Sequence, residues 1–314
     1  MRASSLDADE DSCREYDDLM EIKRRLNHNN GIANREARVD IAGDPTLGPV
    51  VAKQRTPTLK IYDGIKIDSK FINNFKGKIV EVVGFPGSGK STICDMFVKQ
   101  LESYGVLCKH IKEHIENELF DKMIKNPKKF AYVYQYIMLK HRIATRKEAQ
   151  KHLVENPNAC IIIDGGLITD YSFSCYHVVY ENIDREEFVT YIEKLKNESK
   201  TLCLPDLILH VRCQYDVQQK QLKMRGRPEE MLPTPDARKD LQKSDKKCVY
   251  DYGFYCDMNV IYEYIERSQI YDNLINKTMI FDNDVFVPEK SMIASESQNL
   301  MLKNLNQCLM SYRF

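Results

Sequence analysis

The chain has 314 residues, 43% of them apolar, and its 46 basic residues balance 46 acidic ones, so the formal net charge is zero. This length suits one large α/β domain with extensions, or at most two domains. A chain-wide positive field that would gather DNA or RNA is not indicated, so no nucleic-acid partner is expected.

No stretch of about 18 apolar residues is present, so no membrane-spanning helix and no membrane partner are expected. The first residues turn acidic at once, which fits neither a signal peptide nor a transit peptide. Ten cysteines are scattered without Cys-x-x-Cys pairs, a usage typical of reduced thiols in a cytoplasmic protein. The paired ligand spacing of a zinc site is also missing, so none is predicted.

Residues 1–70 are predicted to be an N-terminal extension, flexible or loosely docked, ahead of a domain at 71–314. The segment is acidic at first, and residues 19–26 suggest one short helix. The following stretch, 27–57, is polar and rich in Gly and Pro, which break regular structure. No second catalytic motif is found in it.

Residues 84–91 read Gly-Phe-Pro-Gly-Ser-Gly-Lys-Ser and match the phosphate-binding pattern G-x-x-x-x-G-K-[ST] without a gap. The apolar run 78–83 predicts a buried strand before the loop, and apolar spacing predicts a helix at 91–104 after it. Glycines there let backbone N–H groups converge on phosphate oxygens at the positive end of that helix. Lys90, exposed in the empty loop, would reach the β and γ phosphates, and the Ser91 hydroxyl would bind Mg²⁺.

The loop therefore predicts a site for ATP or another nucleoside triphosphate. Its residues are Gly84, Phe85, Pro86, Gly87, Ser88, Gly89, Lys90, Ser91 and Thr92.

Further strands and helices alternate along the rest of the chain. The remaining predicted strands are 106–111, 159–163, 206–211 and 278–281, and the remaining helices are 119–124, 130–153, 184–197, 216–224 and 291–312. Because most of these strands are apolar on both faces, we expect an α/β P-loop kinase fold, with a parallel sheet of about five strands covered by helices on both faces.

Three later segments bear on the phosphoryl acceptor. A helix after residue 126 carries aromatic residues with Tyr134 and Gln135, typical of a core face but also of a pocket that stacks a base. Asp164 ends a central strand, where a carboxylate can hold a metal ion or accept a hydroxyl proton, or can simply cap a turn. Arg225 and Arg227 flank a glycine, as in a loop that closes over a transferring phosphate or in a solvated helix end.

In order and spacing, these motifs resemble the deoxynucleoside kinase family, which includes the deoxycytidine, deoxyguanosine and insect-type kinases. The resemblance covers about 78–235 and a segment with Asp282 and Asp284, where the family places an adenine-binding loop. It implies that Glu113 helps to activate the 5′-hydroxyl of the acceptor and that Asp164 serves catalysis and the metal ion.

The resemblance also implies how the acceptor nucleoside is held. Gln135 would hydrogen-bond the base and Tyr134 would stack beside it. Arg142 and Asp170 would form a couple near the base, suited to an exocyclic amine rather than to thymine. The lid arginines are Arg225 and Arg227, and Glu230 would approach the sugar 3′-hydroxyl.

Two departures from the family pattern stand out. The family has Glu-Arg-Ser where this chain has Asp164, Gly165 and Gly166, so the arginine beside the carboxylate is missing. The lid arginines are therefore expected to carry more of the charge stabilisation. An arginine restored at position 165 should raise the rate, or partly rescue a lid mutant, provided that Gly165 does not need a positive φ angle. Ile124 also replaces a tyrosine that helps to hold the sugar.

The sequence thus favours ATP-dependent phosphorylation of the 5′-hydroxyl of a (deoxy)nucleoside. Two alternatives stay open: a thymidylate-type nucleoside monophosphate kinase, and a nucleotide-binding protein with weakened catalysis and a structural or regulatory role. A GTPase is disfavoured because no Asn-Lys-x-Asp element is present. A homodimer is compatible with the sequence.

Overall fold

Five strands form a single parallel sheet in the computed structural model, in the order β2-β3-β1-β4-β5. The strands are β1 (Ile79–Gly84), β2 (Cys108–Ile111), β3 (Cys160–Asp164), β4 (Leu207–Arg212) and β5 (Thr278–Asp282). The structure describes residues 10–30, 69–227, 230, 250, 252–267, 278–283 and 292–310. All five predicted strands are confirmed, with bounds that move by at most two residues.

Helices cover both faces of the sheet, as predicted. They are α1 (Glu10–Asn30), α2 (Ser69–Asn73), α3 (Lys90–Ser103), α4 (Asn117–Lys125), α5 (Pro127–Glu155), α6 (Leu167–Val179), α7 (Arg185–Ser199), α8 (Tyr215–Arg225), α9 (Tyr252–Arg267) and α10 (Met292–Met310). One core contains Phe97 of α3 and Leu305 of α10 against Val82 of β1. The other contains Tyr171 of α6 and Phe188 of α7, with further residues of α4, α5 and α9.

The carboxyl ends of the central strands meet at one edge of the sheet. Val82 of β1 lies beside Asp164 of β3, and Gly84 lies beside Val211 of β4. Strand β1 has β3 on one side and β4 on the other, so the connections after it diverge to opposite halves of the sheet. Ligands of open α/β sheets bind in the crevice at such a point.

Helix α1 is longer than the predicted helix 19–26, and the expectation of a loosely docked arm is wrong for residues 10–30. Leu19 is fully buried and Leu26 almost so, in the same core as Tyr171 and Phe188. Burial of such apolar side chains is favourable because it removes them from water. The remaining residues before 69 lie outside the described part of the chain, so the division at residue 70 stays a prediction.

Three helices were not predicted: the five-residue α2, and the longer helices α6 and α9. Nearly every residue of α6 is buried, so it has no polar face and its apolar residues show no helical period. Helix α9 does carry a readable period, with Phe254, Met258, Ile261 and Ile265 buried.

Candidate active site

The phosphate loop connects β1 to α3, as the motif requires. Gly89 has φ 91°, and a Cβ atom on it would lie 2.6 Å from Nδ2 of Asn283. Only glycine therefore allows this close approach and left-handed backbone. Helix α3 begins at Lys90, with Ser91 and Thr92 in its first turn, so its positive end faces the loop.

Lys90 is buried, and the expectation of an exposed amine is wrong. Its Nζ donates a hydrogen bond to the carbonyl oxygen of Phe85 at 2.8 Å. Burial lowers the pKa of this amine from its usual value, although the nearby Glu113 and Asp164 carboxylates partly oppose that effect. The Lys90 side chain thus lies along the phosphate loop and is hydrogen-bonded to it.

Other loop residues are tied to their surroundings by side chains and carbonyls. The Phe85 ring belongs to the core and packs edge-on against Tyr262 at 5.2 Å between centroids. The carbonyl of Pro86 accepts a hydrogen bond from Gln218 at 2.9 Å, and that of Ser88 accepts one from Asn283 at 2.8 Å. Sequence reasoning missed both amide residues.

Ser91 and Asp164 are brought together, as predicted. The Ser91 hydroxyl donates to Oδ2 of Asp164 at 2.5 Å. Asp164 is 3% exposed, and burial raises the pKa of its carboxyl above the usual value. Its Oδ1 has no hydrogen-bond partner among the described residues. A hydroxyl and a carboxylate are hard oxygen ligands of the kind that Mg²⁺ prefers, so these residues fit that ion.

Arg142 lies at the centre of a buried charged cluster. It donates to Glu113, to Oδ1 of Asp170 at 3.2 Å and to the backbone carbonyl of Asp164 at 3.3 Å. Although burial opposes its charge, the two carboxylates raise the pKa of Arg142. Burial likewise acts to raise the pKa of Glu113, but Arg142 and Lys90 outweigh it and lower that pKa.

Gly165 gives room to this guanidinium. Its φ is 84°, and a Cβ atom there would lie 2.6 Å from Nη1 of Arg142. The condition attached to an arginine at position 165 is therefore not met: a side chain there would strain the backbone and would also clash with Arg142. The guanidinium of Arg142, on helix α5, lies beside position 165, where the family pattern has an arginine.

A cavity of about 690 Å³ opens from the phosphate loop along helix α6. Besides Gly84, Pro86 and Lys90, it is lined by Glu113, Ile115, Phe120, Met123, Ile124, Pro127, Tyr134, Gln135, Met138, Arg142, Thr169, Asp170, Phe173, Tyr176, His177, Tyr180, Asn182, Arg225, Arg227, Glu230, Tyr250 and Phe254. All five predicted substrate-binding residues, Tyr134, Gln135, Arg142, Asp170 and Glu230, are among them.

The end of the cavity away from the phosphate loop is aromatic and buried. Tyr134 lies 5.6 Å from Phe120 between ring centroids, and burial raises its pKa. Gln135 is 2% exposed. Burial raises the pKa of Asp170 to about 6 despite Arg142, and its Oδ2 has no partner within the described ranges.

Apart from Asp170, sequence reasoning missed the α6 and α9 residues of this wall, because neither helix was predicted. Asp170, Phe173, Tyr176 and Tyr180 lie at spacings of three or four residues, and His177 directly follows Tyr176. These spacings place the cavity-lining side chains on one helical face, but most residues between them are buried too, so no helical period stood out in the sequence. Burial lowers the pKa of His177 to about 4, so the imidazole is neutral near pH 7.

Glu230 does not stand apart from the lid arginines. It is 1% exposed and accepts hydrogen bonds from Nε and Nη2 of Arg225, while Arg227 lies 3.5 Å from its Oε1. Gly226, between the arginines, ends helix α8 in the left-handed conformation. In this arrangement Glu230 positions the arginines that close one side of the cavity.

The two aspartates predicted to flank the adenine have different outcomes. Asp282 is exposed, and its Oδ1 pairs with Nε of Arg212 at 3.1 Å. Asp284 lies outside the described residues. Between them, the buried Asn283 is the residue that reaches the phosphate loop.

Comparison with the models of known protein families assigns the chain to one of them. Residues 80–280, well over half of it, match the model of the family described as deoxynucleoside kinase. The chain belongs to the deoxynucleoside kinase family.

Individual relatives agree with this assignment. A deoxyguanosine kinase of Lactobacillus acidophilus is 28% identical over 171 residues, which cover 52% of this chain and 70% of that protein. A deoxyguanosine kinase of Lactobacillus johnsonii is 27% identical over 171 residues, 52% of this chain and 71% of that protein. The chain is accordingly a phosphotransferase that phosphorylates a nucleoside, and no finding favours the two alternatives left open by the sequence.

Solved structures of M. mycoides deoxyadenosine kinase share the fold. One with bound dATP and one with the products dCMP and a flexible dCDP are each 24% identical, with a TM-score of 0.50. Each match covers 73% of this chain and 99% of that one. None of the described helices is long and apolar enough to cross a membrane.

Proposed function

We propose that this kinase transfers the terminal phosphoryl group of ATP, or of another nucleoside triphosphate, to the 5′-hydroxyl of a deoxynucleoside bound in the cavity. One observation carries the proposal: Lys90, Asp164, Glu113 and Arg142 meet at the phosphate-loop end of a cavity whose other end is aromatic. Phosphoryl transfer needs mainly positioning and electrostatic stabilisation, which such a cluster provides.

Mg²⁺ would be held by the Ser91 hydroxyl and the Asp164 carboxylate, whose Oδ1 is otherwise without a partner in the described part of the chain. When bound, the ion would neutralise charge on the phosphate oxygens. The chain itself would position the phosphates through the loop and Lys90. Arg225 and Arg227 would stabilise the phosphoryl group from the lid side.

Glu113 is proposed to accept the proton of the attacking hydroxyl. Its lowered pKa keeps it ionised at neutral pH, and its hydrogen bond from Arg142 fixes the carboxylate at the loop end of the cavity. Asp164 is one methylene shorter than the family's glutamate and is hydrogen-bonded to Ser91. Its proposed role is therefore to bind the metal ion. This division gives each carboxylate one task.

The nucleoside base is proposed to lie between Tyr134 and the α6 wall, with its edge toward Gln135 and the Arg142–Asp170 couple. Oδ2 of Asp170, which has no partner among the residues that the structure describes, can accept a hydrogen bond from an exocyclic amine. Thymine has a carbonyl oxygen in place of the amine and a methyl group next to it, so it would leave the Asp170 carboxylate without a donor, which is costly. We therefore propose a preference for deoxycytidine or purine deoxynucleosides, which the names of the two deoxyguanosine kinases support.

Labelled ATP incubated with nucleosides and nucleoside monophosphates tests this function. We expect label in 5′-monophosphates of amino-bearing deoxynucleosides. Turnover should be lower by ~10²-fold or more in Asp164→Asn, because this substitution removes a proposed Mg²⁺ ligand. The matched control Asp17→Asn changes an exposed carboxylate of helix α1 and should leave turnover unchanged. Label found only in diphosphates, or fastest with thymidine, would contradict the proposed acceptor.

The cytoplasmic location and the homodimer inferred as compatible with the sequence stay predictions. Light scattering of the purified chain measures the second directly.

A further inference from the structure

Three metal-ligating side chains meet outside the cavity, on the surface between the β2–α4 connection and helix α5. Oε1 of Glu116 lies 3.0 Å from Nε2 of His114 and 3.0 Å from Nε2 of His141. The two imidazole rings are 4.6 Å apart between centroids. All three candidate ligand atoms lie within 4.8 Å of one another. No part of the phosphoryl-transfer machinery uses them.

The chemistry of this cluster is that of a transition-metal site rather than of a magnesium site. Two imidazole nitrogens and one carboxylate form the ligand set of several zinc sites that keep an open position for solvent. Bonds of about 2.0–2.2 Å place tetrahedral ligand atoms roughly 3.4 Å apart. The two spacings of 3.0 Å between Glu116 and the imidazoles therefore need to open by only a few tenths of an ångström, and the imidazole nitrogens already lie within 4.8 Å of each other. Partly exposed side chains can make such adjustments.

We propose that His114, Glu116 and His141 bind a divalent transition-metal ion of the zinc class, with solvent completing its coordination. Cysteine spacing gave no hint of this site, because its ligands come from a short loop motif and from a helix 25 residues further on. The ion joins the loop to helix α5. Glu113 and Arg142 are the chain neighbours of two ligands and are themselves paired. Metal binding therefore fastens the two segments that carry this pair.

Cobalt titration of the metal-stripped full chain, in excess Mg²⁺ to occupy hard-oxygen sites, tests the site. We expect one Co²⁺ per chain with a visible spectrum of nitrogen and oxygen ligands, displaced by Zn²⁺. In Glu116→Gln and in His141→Asn, the affinity should fall by more than ~10-fold, the lower end of the loss caused even by outer-shell changes. All three side chains are partly exposed, so these variants should fold, as circular dichroism can verify.

His152→Asn is the matched control, since His152 lies on the same helix about 16 Å along its axis from His141. It should bind cobalt like the unmodified chain. Equal binding by all variants, a thiolate charge-transfer band, or no binding would each overturn the site and leave only two imidazoles hydrogen-bonded to Glu116. Hydrogen exchange of residues 112–118 should slow with metal in the unmodified chain alone. Unchanged exchange with metal bound would overturn the fastening role.

Discussion

At the phosphate end of the cavity, one stretch of eight residues supplies the backbone turn, Lys90 and Ser91. At the base end, Tyr134, Asp170 and Phe254 come from helices α5, α6 and α9, far apart in the chain. The first end depends on local backbone geometry, and the second depends on how helices pack. Substitutions at the phosphate end should therefore affect turnover, and those behind the base end should affect stability and specificity.

The largest effect is expected for Lys90→Ala, which removes the cation nearest the predicted phosphates. Turnover should fall by ~10³-fold or more, the upper end of what loss of one preorganised contact costs. Nucleoside binding, measured by calorimetry, should change little, because the base end lies elsewhere. Lys99→Ala, an exposed lysine of the same helix, is the control. Full turnover by a folded Lys90→Ala protein would refute the phosphate-loop assignment.

Leu19→Ala should destabilise the packing that supports the base end of the cavity. The fully buried Leu19 packs in the core of Tyr171, on the helix that carries Asp170. Chemical unfolding should show a loss of ~2–5 kcal/mol, the usual cost of such a cavity, and KM for the nucleoside should rise. Leu300→Ala, on the exposed side of α10, should cost no more than ~0.5 kcal/mol. Similar stability of both variants would mean that α1 does not support the core.

Gly165→Ala compared with Gly105→Ala separates backbone strain from displacement of Arg142. Both glycines have positive φ, 84° and 78°, so each alanine should cost about 1–2 kcal/mol of stability. A Cβ atom at position 105 meets no described residue within 4 Å, whereas one at position 165 meets the Arg142 guanidinium. Only Gly165→Ala should therefore lower turnover, by about tenfold or more. Equal turnover in the two variants would disprove the role given to Arg142.

The smallest effect concerns pH at the base end. Burial raises the pKa of Asp170 to about 6, so the carboxylate is ionised at pH 7 and becomes protonated as the pH falls through 6. KM for an amino-bearing nucleoside should then rise, by up to about tenfold per pH unit. The same raised pKa means that this group's contribution to stability is complete below its unfolded value and is lost as the pH rises through about 6.

Asp170→Asn provides the comparison for this pH profile. Its KM should be independent of pH in the same window, and its preference over thymidine should weaken. A profile identical to that of the unmodified chain would show that another group titrates.

The five strands and their positions along the chain could be predicted because each strand is a short apolar run next to a turn signal. Helix α6 could not, since burial on all sides removes the polar face that reveals a helix. Asn283 was missed for another reason. Its neighbours Asp282 and Asp284 are charged and were chosen as the candidate binding residues, whereas a neutral amide between them gives no signal in the sequence. Burial, which only the fold reveals, makes Asn283 the loop's partner.

The sequence by itself determined the phosphate loop and the candidate carboxylates, because phosphate binding relies on backbone groups within one contiguous motif. Only the tertiary structure decided where the charges lie. Nothing in the sequence between Arg142 and Gly165 indicates that the guanidinium of Arg142 occupies the space beside Gly165. Packing of α5 against the end of β3 brings them together, and burial then decides which carboxylates stay ionised. Such contacts depend on distances across the fold, which local sequence patterns do not encode.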